Sequence, residues 1–304
     1  MSKPIVSIVT ATWNRSQVLR YALEAALASP FSDFELLVIG DACTDDTADV
    51  IASLRDPRVR FINLPKNHGE QSAPNNAGIA IARGRYIALL NHDDLWLPEH
   101  LPVCLDAIAG ADLVFTRTLV LLPDGSWTLS GVTRGETYEP WTTPIASSWL
   151  LRRELAGRIG PWRSAKTIHA VPSQDWLFRA WKSGARLRAV PQVTLISIPS
   201  GGRKDSYAKI SDAEHREMTR RLREEPRLVD DALADIAARS LANEADLGIG
   251  RHLSRAAKNV FRRAAVAAGY PATSIRHFVF HRKRGGYVDS LRRMRGLPPL
   301  PAGE

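Results

Sequence analysis

Four short segments of the 304-residue chain combine residue types and spacings that can do ligand chemistry. In Asn91-His92-Asp93-Asp94, two adjacent carboxylates follow the apolar run Tyr86 to Leu90. Buried together they carry a desolvation cost, which a divalent cation bound to a diphosphate would offset. The plainer alternative is an acidic helix start, because Pro98 and Glu99 follow. Neighbours on an extended segment face opposite sides, so His92 is expected to point away from the pair. In Gly40-Asp41-Ala42-Cys43-Thr44-Asp45-Asp46, Asp41 ends a second apolar run, where its carboxylate can accept a hydrogen bond from a nucleobase imide. Asp45 and Asp46 instead suit the dipole at a helix N-terminus. In Thr10-Ala11-Thr12-Trp13-Asn14-Arg15, small polar residues let a ligand approach the backbone, and Trp13 offers a flat face for a base or sugar. In Ser173-Gln174-Asp175-Trp176, Asp175 opens an apolar helix, and taken alone it reads as a helix N-terminal carboxylate.

Elements able to bring these segments together are legible in the hydrophobic pattern. Ile5 to Ala11, Glu35 to Ile39, Val59 to Asn63 and Tyr86 to Leu90 are short apolar runs that predict strands. Gln17 to Ala28, Thr44 to Leu54 and Ser72 to Ala82 have helical spacing between them, with Thr44 a candidate cap. Such alternation predicts a parallel sheet covered by helices, with the strand C-termini lining one edge where ligands bind. From Ala111 the pattern changes to a hairpin, DLVFTRTLVLL and WTLSGV around the turn PDGS, so the sheet is expected to be mixed. Ser147 to Leu155, a helix over Ser173 to Lys182, and extended pieces Arg186 to Val190 and Val193 to Ile198 complete the second half. The loop PSGGRKDS at 199–206 carries Arg203 and Lys204, which could close over a diphosphate or simply be solvated. Helical patterns then run from Tyr207 to Asn243 and over 251–268.

Taken in order, strand-TWN, strand-GDACTDDT, NNAGIAIARGRYIALLNHDD and a later QDW resemble the family 2 glycosyltransferases over residues 4 to 200. The resemblance implies an α/β GT-A, Rossmann-like nucleotide-diphospho-sugar transferase fold with a mixed central sheet. It also implies inverting transfer of one sugar from a nucleotide-diphosphate donor, UDP favoured, to a glycan or lipid-linked acceptor in bacterial surface polysaccharide synthesis. Asp41 then reads the base, and Asp93 and Asp94 hold the ribose and a divalent cation, Mn²⁺ or Mg²⁺. Asp175 is the general base for the acceptor hydroxyl. Thr10, Thr12, Trp13, Asn14, Asn75 and Asn76 fall on the donor side, while Trp176, Arg203 and Lys204 fall on the acceptor or diphosphate side. His169, six residues before Asp175, is a further acceptor-side candidate. Three positions depart from the family pattern. Asn91 stands where the metal motif usually begins with Asp, Asn75 where Arg is frequent, and Gln174 where Glu is common. The QxxRW motif of processive members is missing, which favours single transfers.

Composition bounds the rest. With 44% hydrophobic and 24% charged residues the chain can bury a core. No window approaches the roughly 20 apolar residues of a membrane span, the N-terminus lacks a leader pattern, and Cys43 and Cys104 suggest no disulfide framework. A cytoplasmic enzyme, placed if anywhere at the inner membrane face, is expected. The net charge of +9 is local: residues 1–246 carry 29 basic and 30 acidic side chains, whereas residues 247–304 carry 12 and 2. The expected organisation is a catalytic domain over 1–206, with a nucleotide half to about 110 and an acceptor half from 111, then a helical, basic extension over 207–304. The basic stretch 251–295 could meet an anionic membrane, or pack on the catalytic domain or a homodimer partner. Nucleic acid is disfavoured because the segment has no recognised binding motif. A sugar nucleotidyltransferase would carry a Gly-rich basic loop after the first strand, which TATWNRSQ is not. A non-catalytic, nucleotide-sugar-binding relative is the remaining alternative.

Overall fold

The computed structural model describes residues 3–200, 203–209, 211–245 and 260–301. Four apolar runs form the parallel strands β1 (Val6–Thr12), β2 (Phe34–Gly40), β3 (Val59–Asn63) and β4 (Tyr86–Leu89), in the order β3-β2-β1-β4. Alternation along each strand assigns its two faces. Ile8, Leu36, Val38 and Ala88 pack on one side with Leu19 and Leu23 of α1 (Ser16–Leu27). Val9, Leu37, Ile39 and Ile87 pack on the other. Every residue of β2 is buried, as expected of a parallel strand covered on both faces. Helix α3 (Ser72–Ile81) lies close against β1 because position 78 is glycine: a Cβ there would stand 2.4 Å from Val9 Cγ1.

Helix α2 (Thr47–Ser53) begins three residues later than its sequence pattern predicts, and Thr44 is not its cap. The Thr47 N–H and hydroxyl donate to Asp45 Oδ1 at 3.2 and 2.5 Å, while the Ser16 hydroxyl donates to Asp46 at 2.5 Å. Asp45 and Asp46 thus join the starts of α1 and α2.

The second half adds β5 (Asp94–Trp96), α4 (His100–Ala107), β6 (Leu113–Leu121), β7 (Trp127–Ser130), β8 (Trp149–Arg152), α5 (Arg153–Ile159), α6 (Pro172–Lys182) and β9 (Leu187–Ser197). The sheet continues β4-β8-β6-β9-β5, with β7 on β6, and both parallel and antiparallel pairs make it mixed. The two extended pieces predicted at 186–198 are one strand. Register on β6 shifts between Val190 and Val193, where Pro191 has no N–H to give the ladder.

After the sheet come α7 (Ala213–Glu224), α8 (Leu228–Ala245), a helical turn region at 260–267, α9 (Ser274–His281) and α10 (Gly286–Met294). Pro226 separates α7 from α8 in what the sequence pattern presents as one helical stretch. Met218, Leu228 and Ala232 pack with Trp127 and Leu119. The end of α10 is joined to the loop after β9: Asp205 N–H donates to Met294 O at 2.8 Å and Tyr207 N–H to Arg295 O at 3.1 Å. The basic pattern over 251–259 lies outside the described residues. Among the described residues no helix is long and apolar enough to cross a membrane.

Candidate active site

Parallel pairing sends β1, β2 and β4 to the same edge of the sheet, and a cavity of about 730 Å³ opens there. Trp13, Asp41, Asp93 and Asp94 line it from the sheet side, while Arg292 and Arg295 line it from the C-terminal end. The residue after Asp41, Ala42, adopts φ +59°, a strained conformation for a residue with a Cβ.

Asp94 is the least solvated acidic residue among the described residues, 1% exposed. Its Oδ2 accepts from Asn91 Nδ2 at 2.8 Å and from the Ser147 hydroxyl at 2.5 Å, whereas its Oδ1 is buried with no hydrogen-bond partner. Asn91, the departure from the usual acidic motif, therefore orients Asp94. Burial, together with the neighbouring Asp93 charge, pushes the Asp94 carboxyl up to about 7. Asp93 is opposite in direction. Burial acts to raise it, but His92, the Ser200 N–H at 3.0 Å, Arg295 and Arg15 together hold it below the usual carboxylate range. His92 is not turned fully away: its Nε2 is 4.0 Å from Asp93 Oδ2 and 3.3 Å from the Tyr207 hydroxyl, and burial lowers it to about 4. Among the described residues no three His, Cys, Asp or Glu side chains cluster to hold a metal. The orphaned Asp94 oxygen beside a second carboxylate nevertheless fits a hard divalent cation that takes its other ligands from phosphate and water.

Asp41 is buried and already engaged. Its carboxylate accepts from the backbone N–H groups of His68 and Gly69 at 2.9 Å each and from the His68 ring at 2.9 Å. It thereby holds the 67–69 loop against the sheet edge. Thr12 lines the cavity, and the hydroxyls of Thr10 and Thr12 are buried without partners. Trp13 stacks on Tyr207, with ring centres 5.8 Å apart.

Several sequence candidates have structural roles instead. Asn14 takes φ +46° and spends both ends of its amide on Thr44, at 2.8 and 3.0 Å. Asn76 pairs both ends of its amide with the Trp162 backbone at 2.9 Å, and Asn75 is buried in α3 beside the cavity-lining Pro74. Trp176, expected at the acceptor, is 1% exposed, stacks on Trp149 and donates to Gly160 O, so it is core. Arg203 is held by Glu214 and by the carbonyls of Pro199 and Leu121, and Lys204 is exposed; neither lines the cavity. His169 packs edge-on to Phe278. Asp175, in the first turn of α6, is buried and does not itself line the cavity, although its neighbours Ser173 and Gln174 do. Its Oδ2 accepts from Arg179 at 2.9 Å, and its Oδ1 lies 3.7 Å from Arg163.

Ser147, Tyr207, His277, Tyr287, Arg292 and Arg295 belong to this region without any individual signal in the sequence. The basic character of 247–304 pointed toward an anion, without saying where.

The curled mixed sheet, ligand edge and C-terminal helices define a GT-A type α/β fold. It superposes on Staphylococcus aureus TarS in complex with UDP-GlcNAc with a TM-score of 0.56 at 15% identity, over 64% of this chain and 58% of that one. Residues 7–156 match the model described as glycosyl transferase family 2. Among relatives, the succinoglycan biosynthesis protein ExoO of Rhizobium meliloti is 38% identical over 124 residues, 40% of this chain and 35% of that protein. The Escherichia coli UDP-Glc:alpha-D-GlcNAc-diphosphoundecaprenol beta-1,3-glucosyltransferase WfaP is 36% identical over 93 residues, 31% of this chain and 37% of that protein. The chain thus spans little more than a third of the length of these curated relatives.

Proposed function

We propose that the protein is a divalent-cation-dependent, inverting glycosyltransferase. It would move one sugar from a nucleoside-diphosphate donor, UDP favoured, to a hydroxyl of a glycan or lipid-linked glycan in bacterial surface polysaccharide synthesis. The observation that carries this reading is the buried, unpartnered Asp94 Oδ1 beside Asp93 at the C-terminal edge of parallel strands. Relatives named for polysaccharide synthesis and for a UDP-sugar reaction support the substrate class.

In this reading Asp93 and Asp94 hold the cation, which when bound supplies Lewis-acid neutralisation of charge on the departing diphosphate. Asp41 accepts the imide N–H of the base while it keeps the 67–69 loop in place. The Thr12 hydroxyl, buried and unsatisfied, is available to the donor. Arg179 fixes Asp175 through Oδ2, which leaves Oδ1, beyond hydrogen-bond distance of Arg163, to take the proton of the attacking hydroxyl. The exposed Phe278, Val279 and Phe280, followed by Arg282, Lys283 and Arg284, would rest on an anionic membrane surface near a lipid-linked acceptor.

Thermal unfolding with UDP, dTDP and GDP, each with Mn²⁺ or EDTA, tests the donor site. A ligand at 100 times its dissociation constant stabilises by about 2.7 kcal/mol. One nucleotide should raise the transition with Mn²⁺, and the rise should vanish in EDTA and in Asp94→Ala. A folded protein that responds to none of the three would favour a non-catalytic binding relative.

A further inference from the structure

Arg292 and Arg295 line the cavity, and Arg15, which does not, reaches the ring of the cavity-lining Tyr207 from the other end of the chain. Arg15 follows β1, whereas Arg292 lies in α10 and Arg295 directly follows it, far outside residues 7–156. Arg292 is committed to the backbone. Its Nε donates to Pro298 O at 2.7 Å and its Nη1 to Gly69 O at 2.5 Å, which straps α10 to the loop that Asp41 holds.

Arg295 is placed differently. It lines the cavity with its guanidinium 5.8 Å from the centre of the Tyr207 ring, and it is one of the charges acting on Asp93. Its Nε is buried with no hydrogen-bond partner, and among the described residues its side chain makes no ion pair. Arg15 lies 4.9 Å from the same ring, donates through Nη1 to Ser206 O at 2.8 Å, and likewise has a buried, unpartnered Nε. Two guanidinium groups against one ring repel each other, and each unsatisfied buried N–H is costly. An anion with several acceptor oxygens would relieve both conditions, and the planar guanidinium fork is suited to phosphate.

We propose that Arg295 binds the diphosphate of the nucleotide, with Arg15 beside it, so that the C-terminal extension completes the donor site. This rests on reading the cavity as a nucleoside-diphosphate site. The test is calorimetric titration of the full chain, in Mg²⁺, with UDP, uridine and inorganic pyrophosphate. Arg295→Gln should weaken UDP and pyrophosphate by about tenfold or more and leave uridine unchanged, and Arg295→Lys should recover part of the loss. If Arg295→Gln does not fold, Arg295→Lys still decides, because losing the fork should weaken UDP and spare uridine. Equal UDP affinity in wild type and variant overturns the assignment. So does equal loss of uridine and UDP, which marks a merely structural role, or a loss for pyrophosphate alone, which places another ligand's diphosphate there. A wild type that binds neither UDP nor uridine removes the donor-site reading and this inference with it. Failure in the variant comparison alone leaves the donor-site reading standing.

Discussion

At the residue scale, Asp175 carries the sharpest functional prediction. Asparagine keeps an oxygen for Arg179 but cannot take a proton, so Asp175→Asn should lower turnover by about 10²–10⁴ with nucleotide affinity unchanged. Nucleoside diphosphate release and calorimetry measure the two separately. His100 carries the clearest pH dependence. It is 1% exposed, contacts Thr194 Oγ1 at 2.7 Å and stacks on Trp96, and burial lowers it to about 3. Between about pH 6.5 and 3 the unfolded chain binds a proton that the folded chain refuses. This group's contribution to stability is therefore complete above about pH 6.5 and is lost as pH falls, at up to about 1.4 kcal/mol per unit. Urea midpoints from pH 7 to 5 should fall less steeply in His100→Asn than in wild type.

At the element scale, two glycines in helices should respond oppositely to alanine. Gly78 gives α3 its close approach to β1, and a Cβ 2.4 Å from Val9 Cγ1 must push the two apart. Gly78→Ala should cost about 1–3 kcal/mol. Gly157 in α5 has nothing within 4 Å of the position a Cβ would take, so Gly157→Ala should stabilise by about 0.5–1 kcal/mol. Urea denaturation of the pair measures both. The same scale explains the misplaced start of α2. Thr44 has a capping side chain, but Asn14 occupies it, and Asp45 caps Thr47 instead. Local preference nominates several caps in TDDT, and a long-range partner selects among them.

At the scale of the whole molecule, the C-terminal helices present two surfaces. Their end, α10 and Arg295, faces the cavity. In α9, Ser274 and His277 are buried, while Phe278, Val279 and Phe280 are exposed, the last at 72%. Each Lys or Arg near an anionic bilayer contributes around 1 kcal/mol, and the effect fades within a Debye length. The protein should therefore co-sediment with vesicles containing phosphatidylglycerol at low salt and less at high salt. The double substitution Phe278→Ser and Phe280→Ser should release it, and uncharged phosphatidylcholine vesicles should not retain it.

What the sequence determined by itself was whatever depends on short-range pattern. Apolar runs of strand length, helical spacing between them and carboxylates directly after the runs sufficed for the parallel half, its ligand edge and the positions of Asp41, Asp93 and Asp94. They sufficed because a parallel βαβ path brings strand ends together whatever the details. The tertiary structure alone decided which polar side chains are free. Asn14, Asn76 and Arg203 read as ligand groups in the sequence, yet partners 30, 86 and 11 residues away take them up. Trp176 is removed from the acceptor side by burial against Trp149. Conversely, Arg295 reaches Tyr207, whose ring also stacks on Trp13 just after β1. Hydrogen-bond satisfaction and packing over such separations are properties of the folded surface, and no local pattern encodes them.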